Sequence, residues 1–133
     1  MGKIHVFNLH EEDHTNEPGY FYIGRSKDGN PLGNPFTYNG KHSSLAKLSF
    51  KTRDEAVDAF QVYFKKCYGE PGHEDLTNAF NKIYEAYKSG IDIYLGCFCK
   101  PKRCHGDIIA EELQKKLVRE KIIEQRLNKE CQL

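Results

Sequence analysis

Three of the chain's five cysteines fall within eight residues, in the run Cys97-Phe98-Cys99-Lys100-Pro101-Lys102-Arg103-Cys104-His105-Gly106-Asp107. Two chemistries suit this run. The first is a metal: Cys97, Cys99, Cys104 and His105 offer three sulfurs and a nitrogen, a donor set that tetrahedral zinc uses. The spacing C-x-C-x4-C-H departs from the commoner C-x2-C pairs, and neighbouring side chains on a helix diverge by about 100°. The second is a reactive thiol. Cys104, at a helix start beside basic residues, is expected to have its pKa lowered from about 8.5. His105 and Asp107 would then act as acid, base or orienting group, the equipment of a transferase or hydrolase. The bland reading is packing: Cys97 continues an apolar strand face and is the best candidate for plain core. Cys67 and Cys131 stand apart and read as incidental.

The same run is basic. Lys100, Lys102 and Arg103 beside a helix N-terminus suit an anion such as a phosphate or carboxylate, because the first helical amides are unpaired and carry partial positive charge. A second constellation is Tyr22-Ile23-Gly24-Arg25 followed by Pro31-Leu32-Gly33-Asn34-Pro35-Phe36. Gly24 permits close backbone approach at a strand end, and Arg25 there can bind phosphate or carboxylate bidentately. Gly33, Asn34 and Pro35 form a turn beside it. The ligand-binding candidates are therefore Gly24, Arg25, Gly33, Asn34, Lys100 and Arg103. One motif is set aside. His10-Glu11-Glu12-Asp13-His14 fits H-E-x-x-H, but that zinc-protease signature needs a helix, and this stretch reads as a solvated loop closed by Pro18-Gly19. No Walker loop or G-x-G-x-x-G occurs.

These residues need elements to hold them. Ile4-His5-Val6-Phe7-Asn8-Leu9 and Tyr20-Phe21-Tyr22-Ile23-Gly24 read as strands. Residues 26–44, rich in glycine, proline and asparagine, read as one long connection. Thr52-Arg53-Asp54-Glu55 is a capping box opening a helix with Ala56, Phe60, Phe64 and Cys67 on its inner stripe, joined by Ala59 and Tyr63. A second helix is expected from about Glu74 to Lys88 with Leu76, Phe80, Ile83, Tyr84 and Tyr87 inward, and Gly90 as a left-handed stop. Alternation from Ile91 to Cys99 predicts a strand placing Ile91, Ile93, Leu95, Cys97 and Cys99 on one face. A final helix starts near Cys104 to Asp107 and runs to about Lys129, with Ile109, Leu113 and Leu117 inward. The order gives an α/β fold in two or three layers, with a short, mostly parallel sheet and a long C-terminal helix. Residues 1–117 form the domain and 118–133 a charged helical extension.

Composition narrows the partners. The chain has 133 residues, 20 Lys plus Arg against 19 Asp plus Glu, and a net charge of +1. Near-neutrality argues against an extended non-specific grip on DNA, so a nucleic acid would meet only a local patch. No stretch approaches the roughly 18 apolar residues of a membrane span, and no apolar stretch of signal-peptide length opens the chain. The expectation is a cytoplasmic protein with reduced thiols. The expected partner is an anionic small molecule, nucleotide-like or phosphorylated. The alternative is a zinc-stabilised module for nucleic acid or a host protein. Leu113, Leu117, Ile122, Ile123 and Leu127 could also form a homodimer seam along the last helix.

Tyr22-Ile23-Gly24-Arg25, Leu32-Gly33-Asn34-Pro35-Phe36 and the Cys97 to Asp107 run together resemble an uncharacterised domain family of phages and bacteria, described as a domain of unknown function. The resemblance covers about residues 4–117. It implies a small α/β fold in which Arg25, Asn34, Cys99, Cys104, His105 and Asp107 converge on one site, and it carries no settled activity.

Overall fold

The structure is a computed structural model and describes residues 2–38 and 48–131. Five strands and three helices follow in the order β1 (Ile4–Asn8), β2 (Tyr20–Tyr22), β3 (Phe36–Tyr38), β4 (Leu48–Phe50), α1 (Arg53–Cys67), α2 (Glu74–Lys88), β5 (Ile93–Cys97) and α3 (His105–Cys131). This is the α/β architecture with a short parallel sheet and long last helix. β5 lies between β1 and β2, and both neighbours pair with it in parallel. The register sets Asn8 opposite Cys97 and Tyr22 opposite Gly96. All three strands therefore end at one edge, where open parallel sheets bind their ligands.

The helices follow their local signals. Thr52 caps α1 by accepting the Glu55 amide at 3.1 Å, as its hydroxyl and spacing require. Ala56, Val57, Phe60 and Phe64 are its buried residues. α2 buries Leu76, Phe80, Ile83, Tyr84 and Tyr87, and Gly90 takes φ +98° just after it. α3 buries Ile108, Ile109, Leu113 and Leu117. Beyond Leu117 its apolar residues Ile122, Ile123 and Leu127 are exposed. The core joins the inner faces of the three helices to Ile23, Leu32, Ile93 and Leu95. Each fully buried Leu, Ile or Phe of this set stabilises by about 1.5–3 kcal/mol.

Two expectations are corrected. The supposed single connection from 26 to 44 contains β3, which pairs in parallel with β4 as a separate two-stranded sheet; its part from 39 to 44 lies outside the described residues. Three-residue parallel strands have too few positions to show a period. β5 is also shorter than the alternation suggested. Ile91 precedes it and is exposed, Cys99 follows it, and all five residues of the strand are buried on both faces. The second face is covered by the 9–19 segment. There Leu9 and Tyr20 crowd Gly96, and Phe7, His14 and Tyr94 form an aromatic cluster. No described helix is long and apolar enough to cross a membrane.

Candidate functional site

Beyond the carboxyl edge of the sheet lies a cavity of about 290 Å³. Cys97, Cys99, Cys104 and His105 line it from the end of β5 and the start of α3. Tyr22, Gly24 and Arg25 come from the end of β2, and Asn34, Phe36, Thr37 and Tyr38 from the following loop and β3. Arg53, Ala56 and Val57 on α1, with Phe98 and Arg103 from the turn, complete it. The segments singled out in the sequence thus meet in one place. Gly106 explains how α3 can begin so close: a Cβ there would lie 2.7 Å from both Ile23 Cδ1 and Val6 Cγ1.

The sulfurs form a cluster. Cys97 Sγ is 3.6 Å from Cys104 Sγ and 3.5 Å from the Phe7 carbonyl oxygen. Cys97 and Cys104 are buried, while Cys99 is half-buried. Beside the Cys104 and Cys97 thiols, with His105 and Arg53 adding to the effect, Cys99 has its pKa drawn down to about 2. Cys104 gives its proton toward Cys97, lies near Cys99 and is buried, which pushes it up. Cys97 is lowered by Cys104, but the neighbouring Cys99 and its burial leave it raised overall. Of the three thiols, Cys99 is the one drawn toward the thiolate form. This reverses the expectation for Cys104. A helix N-terminus and nearby cations acidify an exposed thiol, but Cys104 is buried and serves as a donor.

His105 is 5 % exposed. Burial lowers its pKa despite the nearby Ile23 carbonyl, so the ring is neutral. Its Nε2 lies 2.6 Å from the Ile23 carbonyl oxygen, which makes that nitrogen the donor. That bond ties α3 to the end of β2 and occupies one of the two ring nitrogens a metal could use. Asp107 does not line the cavity. It accepts the Cys104 amide at 3.1 Å and pairs with Lys100 at 2.5 Å, so it caps α3 and holds the turn.

The cations divide in a way the sequence did not announce. Lys100 is taken by Asp107, and Lys102 is exposed. Arg103 reaches the cavity but binds Asp54 at 3.0 Å and Asp58 at 2.9 Å on α1. Arg25 donates through Nη1 to the carbonyls of Asn34 and Phe36 at 2.9 and 3.1 Å. A guanidinium has five N–H donors, more than those two carbonyls consume. Arg53, at the first position of α1, has Cζ 4.7 Å from the Tyr38 ring centroid and bonds the Tyr38 hydroxyl. Asn34 is buried and structural: it donates to the Ala56 carbonyl at 3.3 Å and accepts the Phe36 amide at 3.0 Å. Gly33 lies outside this cavity, and a Cβ on it would come within 3.0 Å of the Arg25 Cα.

Arg53, Tyr22, Tyr38 and Asn8 were missed. Asn8 donates to the Lys100 carbonyl at 2.9 Å and pins the cysteine turn to the end of β1. Tyr22 donates its hydroxyl to the Arg25 carbonyl at 2.9 Å. The capping box placed Arg53 at a helix start, and the Tyr22-Ile23-Gly24-Arg25 run carried Tyr22 without giving it a role; Tyr38 and Asn8 had no signal.

The strand ends of the parallel sheet, the cysteine turn and the arginine loop thus enclose one cavity on a small α/β domain. The chain belongs to the family DUF4326, a domain of unknown function, whose model matches residues 7–115. Neither a curated protein nor a solved structure matches it significantly.

Proposed function

We propose that this cavity binds a phosphorylated, nucleotide-like small molecule and that the Cys99 thiolate takes part in its chemistry. The observation carrying this reading is the joint lining of the cavity by Arg25, Arg53 and the cysteine cluster, with Tyr22, Phe36, Tyr38 and Phe98 as aromatic surface. Guanidinium groups match phosphate bidentately, and aromatic rings stack on planar bases. A cavity near 290 Å³ sits at the small end of ligand sites. It suits a sugar phosphate or a mononucleotide partly open to water, not a dinucleotide. A cytoplasmic setting belongs to the proposal, since Cys97 and Cys104 are free thiols 3.6 Å apart and a reducing compartment keeps such pairs open.

A second reading has one observation in its favour. The 3.6 Å between the Cys97 and Cys104 sulfurs is close to the edge of a tetrahedral zinc–thiolate site, about 3.8 Å for bonds near 2.3 Å. Cys99 would be the third ligand only after its side chain moves, since the three sulfurs do not all lie within 4.8 Å of one another, and the bond from His105 to Ile23 disfavours that ring as the fourth.

Melting curves across a panel of nucleoside mono-, di- and triphosphates, pentose phosphates and the unphosphorylated nucleosides test the first reading. At a concentration about a hundredfold above Kd, a ligand stabilises by about 2.7 kcal/mol, a rise of several degrees for a domain of this size. The expected result is a shift with one phosphorylated class and none with its dephosphorylated partner. Equal shifts with both, or none with any member, contradict it.

A further inference from the structure

The H-E-x-x-H stretch does contain a site, but not the one its motif names. Residues 10–14 form no helix, and His10 turns away to pack against Phe98, with ring centroids 4.9 Å apart. His14 instead meets His5 of β1 across the side chain of Glu12. His5 Nε2 and His14 Nε2 lie 2.9 and 3.0 Å from the same oxygen, Glu12 Oε1. All three atoms fall within 4.8 Å of one another, and among the described residues this is the group of metal-capable side chains so arranged.

We propose that His5, Glu12 and His14 bind a zinc-class divalent cation on the face of the sheet opposite the helices. Two imidazoles and one carboxylate are a zinc donor set that leaves a fourth position for water. Bonds of about 2.0–2.2 Å to nitrogen and oxygen give tetrahedral edges near 3.4 Å. The observed separations are a few tenths shorter, the size of change that side-chain rotation absorbs. Protons now bridge the rings to the carboxylate; the cation would replace them, with both Nε2 atoms as lone-pair donors.

The rings are held in advance. His14 stacks on Tyr94 with centroids 4.5 Å apart and meets Phe7 edge-on at 4.8 Å. His5 stands opposite Tyr94 in the strand register. The turn carrying Glu12 is fixed by the Glu11 and Glu12 amides, which donate to the Asn8 carbonyl at 2.9 and 3.0 Å. Asp13 holds the next step by accepting the Thr15 amide and hydroxyl at 3.0 and 2.7 Å. Side chains on fixed backbone bind a metal with less ordering cost than mobile ones. The His5, Glu12 and His14 side chains are 41 %, 43 % and 27 % exposed, which leaves an entry path.

The test uses the full chain without a histidine tag. Zn²⁺ is titrated while the imidazole signals are followed by nuclear magnetic resonance, and Co²⁺ replaces it for absorption spectra. The expected result is that zinc moves the His5 and His14 signals together and leaves His105 in place. Glu12→Gln should weaken that binding at least tenfold while leaving the fold intact, since Glu12 is exposed. Cobalt should then show a ligand-field band free of thiolate charge transfer. Zinc that moves neither His5 nor His14, a Glu12→Gln variant that binds as the parent does, or cobalt seen only through thiolate bands would overturn the proposal. The last outcome would instead assign the metal to the cysteine cluster.

Discussion

Arg53→Ala is expected to remove most of the affinity for a phosphorylated ligand while barely changing the stability of the unliganded protein. The two halves of that expectation have separate causes. Arg53 occupies the first position of α1, where its backbone N–H has no intrahelical partner and alanine is a good helix former. Its side-chain contacts are to Tyr38, at the rim of the cavity, and such cation–π contacts are worth about 0.5–1 kcal/mol at partly exposed sites. Losing them should move the melting temperature by no more than a few degrees. A charge-assisted bond to phosphate contributes about 1.5–3 kcal/mol, and a guanidinium makes two of them. The expected loss is therefore at least tenfold and up to several hundredfold in Kd. Calorimetric titration of parent and variant with the phosphorylated ligand checks it. Arg25 is a poorer choice for this test. Its side chain binds the Asn34 and Phe36 carbonyls, so Arg25→Ala would loosen the cavity wall as well as remove charge.

The second large effect concerns Cys99. Beside the Cys104 and Cys97 thiols, its pKa is drawn down to about 2. It should stay ionised across the whole neutral and mildly acidic range. An ordinary thiol loses its thiolate about tenfold per pH unit below roughly 8.5. Alkylation of Cys99 by iodoacetamide should accordingly be flat between about pH 5 and pH 8, while a reference thiol such as glutathione slows by about three orders of magnitude. The absolute rate at neutral pH will not be high, because nucleophilicity falls as thiol pKa falls. The signature is the pH profile, not the speed. Cys104→Ser and Cys97→Ser should each restore some pH dependence by removing a thiol neighbour that draws Cys99 down. Peptide mapping after alkylation gives the rate site by site. A Cys99 rate that tracks the reference thiol would contradict the assignment.

The sign for stability follows from the same shift. Between about pH 2 and the ordinary thiol range the unfolded chain holds a proton on Cys99 that the folded chain lacks. Stability from this group therefore rises with pH through that window. Cys104 is shifted the other way, so above the ordinary thiol range it opposes further gain.

How much of this was legible depended on whether a residue's role is local. The start of α1 was readable because a capping hydroxyl and its amide are three residues apart. The limits of α2 were readable because five inward residues share one period and a glycine follows. The meeting of Arg25 and the cysteine run was legible through strand ends, which a parallel sheet brings to one edge; Asn34 joined them only through the family resemblance. β3 and β4 were not, since three-residue parallel strands leave no pattern. Nor was the order of the three thiol pKa values, which depends on burial and on which sulfur donates. A helix start favours Cys104, but Cys104 is buried and pushed up, while Cys99 is the thiol drawn down. Asp107 read as a catalytic acid or base, yet its carboxylate caps the backbone and pairs with Lys100. His5 carried no signal, since its partners Glu12 and His14 reach it through the fold of a loop. The H-E-x-x-H spacing drew the eye to His10 and His14, which part company once no helix forms.

The most direct test of the central claim is a crystal structure of the protein with the phosphorylated compound that shifts its melting temperature most. The account predicts the phosphate within hydrogen-bond distance of Arg53 or Arg25 and the rest of the molecule against Tyr22, Tyr38 or Phe98, near Cys99. A phosphate bound elsewhere, with the cavity at the end of β5 filled only by water, would contradict it.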